Sequence, residues 1–60
     1  MTTELLNGKG VFLVKFYGGP ERGICYQITV ENKHSWFEHI ILTSNQMEEV
    51  AEAYRRDEEA

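Results

Sequence analysis

Cys25, His34, Glu38 and His39 are the side chains here that come nearest to a nucleophile pair or a metal site. Their spacing assembles neither. A thiol becomes a nucleophile when a helix N-terminus, a cation or a base lowers its pKa. The run Ile24-Cys25-Tyr26 supplies none of these, so Cys25 reads as a small, buried sheet residue. His34 and His39 lie five residues apart, which matches no helical or strand ligand motif. On a strand, Glu38 and His39 point to opposite faces. The glycines of Gly18-x-x-x-x-Gly23 have the spacing of a phosphate-binding loop. Ile24-Cys25 then stands where the lysine and the hydroxyl would be needed, so the segment reads as a hairpin loop. A chain of 60 residues also has little room to enclose a dry pocket. The expectation is a non-enzyme without metal or cofactor.

Charge is the stronger signal. The formal net charge is −4. From Ser44 to Ala60 there are six acids and two bases, which accounts for all of it. From Met1 to Thr43 four acids balance four bases. A localised acidic face suits a basic partner and opposes simple phosphate binding.

Size limits how such a chain is stabilised. A domain this short buries about 60% of its unfolded surface and is marginal alone. One cysteine excludes an intramolecular disulfide, and no cysteine cluster suggests zinc. A homodimer or hetero-complex is the remaining remedy. The start Met1-Thr2-Thr3-Glu4-Leu5-Leu6 has neither a basic n-region nor a long apolar run, so no signal peptide or membrane span is expected. With the unpaired thiol, this indicates a reducing, cytoplasmic setting.

The elements follow from periodicity. Met1 to Gly10 carries turn formers; either Leu5 and Leu6 dock on the body or the segment is loosely held. Val11–Tyr17 is β-branched and aromatic, a strand with a wholly apolar face of Phe12, Val14 and Phe16. Ile24–Val30 alternates cleanly, with Ile24, Tyr26, Ile28 and Val30 one way and Cys25, Gln27 and Thr29 the other. Glu31–Ser35 is a polar turn, and Trp36–Leu42 a third strand. Thr43 as N-cap with Gln46 three residues on forms a capping box. Met47, Val50, Ala51 and Tyr54 then make one helical stripe. Glu48 and Glu49 fall early and Arg55 and Arg56 late, the arrangement a helix dipole favours. Residues 57–60 read as a frayed acidic tail. The expected fold is a single α+β domain over residues 1–60: a three-stranded antiparallel β-sheet followed by one C-terminal amphipathic α-helix that covers one sheet face. The other face, with Leu13, Tyr17 and Cys25 or with Phe37 and Ile41, or else an edge strand, is expected to meet another chain.

Two functions compete. Lys15, Tyr17, Arg22, Lys33, Trp36 and Phe37 mix cations with aromatics, a combination that stacks bases and follows a single strand. The strands-then-helix order and the Thr-Ser-Asn-Gln helix start, over roughly residues 11–56, resemble the core of PC4-type single-stranded-DNA-binding domains. That resemblance implies a nucleic-acid-binding homodimer. Affinity for phosphates comes from Lys and Arg, however, and this chain has no dense basic cluster. On the helix, Glu48 and Glu52 sit one turn apart, about 6 Å, close to the phosphate spacing of a nucleic-acid strand. Small size, a neutral body and an acidic helix are similar in general character to phage-encoded inhibitors such as anti-CRISPR proteins. The preferred expectation is an acidic inhibitor or adaptor that binds a basic protein surface through Glu48, Glu49 and Glu52, with Trp36, Tyr17 or Phe37 as apolar anchors.

Overall fold

A computed structural model describes residues 1–34 and 36–60. Four strands, β1 (Thr2–Asn7), β2 (Val11–Tyr17), β3 (Ile24–Glu31) and β4 (Phe37–Thr43), precede one helix, α1 (Ser44–Glu59). The strands form an antiparallel sheet in the order β1-β2-β3-β4. The chain is α+β as its periodicity predicts, but the sheet has four strands rather than three.

The additional strand is β1. The N-terminal segment, expected to be docked or loose, pairs with β2 from Thr2↔Phe16 to Asn7↔Phe12. Its register shifts between Glu4 and Leu6, so Leu5 is the extra residue of a bulge. That bulge breaks the two-residue alternation by which strands are recognised. At the turn, the Gly8 N–H donates to the Val11 carbonyl at 2.9 Å, and Gly10 takes a φ of 76°. Glu31, expected in the polar turn, instead ends β3 paired with Phe37; the turn begins at Asn32, with the His34 N–H donating to Asn32 Oδ1 at 2.8 Å. Its expected last residue, Ser35, lies outside the described residues.

Register fixes the two faces, because directly paired residues share a side. One face is mixed: Phe12, Val14 and Phe16 of β2 stand beside Thr29, Gln27 and Cys25 of β3, then His39, Ile41 and Thr43 of β4. The other is almost wholly apolar. Its central row is Leu6, Leu13, Ile28 and Ile40, one residue from each strand. Cys25 therefore lies opposite Leu13 and Tyr17, not with them, while Phe37 and Ile41 join the mixed face.

Helix α1 does not cover the sheet, contrary to expectation. Strand β4 ends at Thr43 and α1 starts at Ser44, leaving no loop in which the chain can fold back. The helix meets only β3 and β4. Its apolar stripe stays largely open, with Val50 52% and Tyr54 65% exposed and no residue buried. The helix continues to Glu59, so Asp57, Glu58 and Glu59 form its last turn. The capping box is present: Thr43 Oγ1 accepts from the Gln46 N–H at 3.3 Å, and Gln46 Oε1 accepts from the Thr43 N–H at 2.9 Å.

The core is correspondingly thin. Among the described residues Cys25 alone is fully buried. Loop 18–23 closes over it, with the Gly18 N–H donating to the Gly23 carbonyl and the Gly23 N–H to the Gly19 carbonyl, both at 2.7 Å. Gly23 adopts a φ of 65°, a conformation that favours glycine. The molecule measures 36 × 34 × 16 Å with a radius of gyration of 12.9 Å, where a compact chain of this length has about 10 Å. It exposes 4999 Å², where a compact monomer of 7.0 kDa exposes about 4,000 Å².

Candidate functional site

The acidic residues occupy α1, which the Thr43 capping box anchors to the end of β4. Glu48, Glu49 and Glu52, with Asn45, Ala53 and Arg56, line an open concavity along one side of the helix. Their charges are not equivalent. Glu52 is held from both sides, by the Arg55 guanidinium through Oε2 and by Arg56 Nε 3.9 Å from Oε1. Both pairs are exposed, so each is worth less than about 1 kcal/mol and is screened by salt. Glu48 and Glu49 have no cationic or hydrogen-bonding partner among the described residues. The unneutralised part of the acidic side is therefore its N-terminal half.

The helix dipole explains less of this pattern than spacing implies. The first turn contains no acid, since Glu48 and Glu49 fall beyond it. The last turn contains Arg56 but also three acids at the negative end of the dipole. One is partly accommodated, because Tyr54 Oη donates to Glu58 Oε1 at 3.1 Å. The distribution thus adds negative potential at a helix end where such charge is locally unfavourable.

The expected aromatic anchors do not converge on the helix. Tyr17, 58% exposed, ends β2 opposite Ile24, on the apolar face and at the helix end of the sheet. Trp36 and Phe37, 57% and 55% exposed, lie at the other end of β4. Six residues of extended chain, about 20 Å, separate Phe37 from Thr43. Trp36 stacks on His34 with centroids 5.2 Å apart, and Phe37 meets Phe12 edge to face at 6.2 Å. The cations expected beside them are equally dispersed: Lys15 on the apolar face, Arg22 in the loop over Cys25, Lys33 in the turn before β4. No continuous basic-aromatic platform results.

Sequence reasoning expected one sheet face to meet another chain, and Leu13 and Tyr17 do lie on the apolar face, but it set Ile24, Tyr26, Ile28 and Val30 under the helix instead. Their alternation reads equally well as a strand packed beneath a helix. Among the described residues, no group of three potential ligands is placed to hold a metal ion, and no helix is long and apolar enough to cross a membrane. No protein-family model, curated protein sequence or solved structure matches the chain.

Proposed function

We propose that this chain is a non-enzymatic interaction module, an inhibitor or adaptor whose acidic helix side engages a basic surface on another protein. The observation that carries the reading is the state of Glu48 and Glu49, exposed and unpaired on a helix whose remaining acid on that side is already neutralised. Charges that neither stabilise their own helix nor find a partner within the chain are available to a second molecule. Two adjacent free carboxylates concentrate negative charge on the N-terminal half of the helix, so a protein surface rich in Lys and Arg is the matching chemistry. Such contacts act mainly on association rate and specificity.

The test reverses Glu48 and Glu49 together to Lys, leaving Glu52 to hold its two arginines. Wild-type and reversed chains are used for affinity capture from the native host at rising salt. The captured partner is then purified and its binding measured. The expected result is at least about a tenfold loss of affinity and a flatter salt dependence. Equal affinity and equal salt dependence would remove the acidic side from the interface.

A further inference from the structure

The apolar face of the sheet is open across all four strands. Leu6 on β1, Tyr17 on β2, Ile24 and Val30 on β3 and Ile40 on β4 are all exposed, and they reach both ends of the face. A shallow depression at β3 and β4, lined by Ile28, Val30, Glu38 and Ile40 with His39 at its rim, adds relief. Monomers rarely leave a contiguous apolar patch of this extent in water. The whole chain, open helix stripe included, exposes about 1,000 Å² more than a compact chain of this mass, against about 800 Å² per partner in a stable interface. One further protein surface of ordinary size closes the deficit.

The charges on the face identify that surface. One row holds Lys15 beside Tyr26 and Leu42; the row at the opposite side of centre holds Glu38 beside Val30 and Val11. Lys15 and Glu38 are the only charged residues on these rows. Relative to Ile28 in the central row, Lys15 lies one strand away and one row forward, and Glu38 one strand away in the other direction and one row back. They are symmetric about Ile28, each about 8 Å from it on the standard spacings of a sheet. A face with one cation and one anion placed symmetrically about its centre is complementary to itself.

We propose that a second copy of this chain covers the apolar sheet face about a two-fold axis passing over Ile28. Lys15 of each protomer then meets Glu38 of the partner subunit. On the flat sheet grid this axis crosses the two sets of strands at about 70°, near the orthogonal class of sheet packing. Such an interface is isologous, so every pair occurs twice. The Asn32 side-chain amide, which donates to Glu38 Oε2 at 3.3 Å, holds that carboxylate over the end of its strand. The proposal does not rest on the acidic helix side, which remains free for another partner.

Sedimentation of the full chain against concentration tests it. The expected species is a dimer of about twice 7.0 kDa. Lys15→Glu sets acid against acid at two places and Glu38→Lys sets base against base. Each single variant is expected to dissociate at least about tenfold more readily than wild type, with its far-UV circular dichroism retained. Mixing the two variants restores both pairs, so an equimolar mixture is expected to form a heterodimer at concentrations where each alone is monomeric. A wild-type chain that stays monomeric at millimolar concentration overturns the proposal. So does a dimer indifferent to both reversals, or a pair of monomeric variants that fail to associate when mixed.

Discussion

Replacing Gly18 by Ala probes the packing around Cys25, the one fully buried residue among those described. Gly18 does not have positive φ, so an alanine meets no backbone penalty there. Its Cβ would instead lie 2.6 Å from Cys25 Sγ, 3.3 Å from the Gly23 carbonyl oxygen and 3.4 Å from Arg22 Cβ. The sulfur moves only by rotating one bond, and Cys25 is fully buried with its thiol donating to the Gly23 carbonyl at 3.7 Å. Overpacking of this kind costs about 1–3 kcal/mol. The reduced freedom of the unfolded chain returns about 0.4–1 kcal/mol. The expected net loss is about 1–2 kcal/mol, a shift of roughly 1–2 M in the urea midpoint for a small domain. Cys25→Ala removes the obstructing atom, so Gly18→Ala in that background is expected to be neutral or slightly stabilising. The measurement is a double-mutant cycle by urea denaturation at fixed protomer concentration, followed by Trp36 fluorescence and far-UV circular dichroism. If Gly18→Ala destabilises equally whether position 25 is Cys or Ala, the steric account of loop 18–23 is wrong.

Three further outcomes follow from the helix and the sheet. Thr43→Ala removes the hydroxyl arm of the capping box and is expected to cost about 1 kcal/mol, read by urea denaturation at 222 nm. Asp57→Asn with Glu59→Gln relieves two carboxylates at the negative end of α1 and is expected to raise stability by about 0.3–1 kcal/mol per site, a gain that shrinks in high salt. Because the cations and aromatics of the sheet are dispersed, no gel shift is expected with single-stranded oligonucleotides even at low salt; a salt-sensitive shift would revive the nucleic-acid reading.

Local order was legible where one physical signal dominated. The strand Val11–Tyr17, the alternation from Ile24 and the Thr43–Gln46 box all describe short-range chemistry, and all are present. Strand β1 was hidden because Thr2–Asn7 is mostly polar and its Leu5 bulge breaks the alternation. Asn7-Gly8, set between short apolar runs, was the hairpin signal available there. The stripe Met47, Val50, Ala51 and Tyr54 predicted a helix correctly but its cover wrongly, since periodicity carries no information on the direction of the preceding strand. The acidic residues of the candidate site could be read directly, and so could the offset of Glu52 by Arg55 and Arg56, which stand three and four residues on. The symmetry of Lys15 and Glu38 about Ile28 depended on register, which no single strand contains.

The junction at Thr43 has a mechanical consequence. With no slack between strand and helix, α1 behaves as a lever fixed to the end of β4. Sixteen residues at 1.5 Å each make an arm of about 24 Å, so a 10° rotation of that strand end carries the helix tip about 4 Å sideways. Whatever grips the sheet therefore also aims the carboxylates, and any change in sheet twist on association is magnified at Asp57–Glu59.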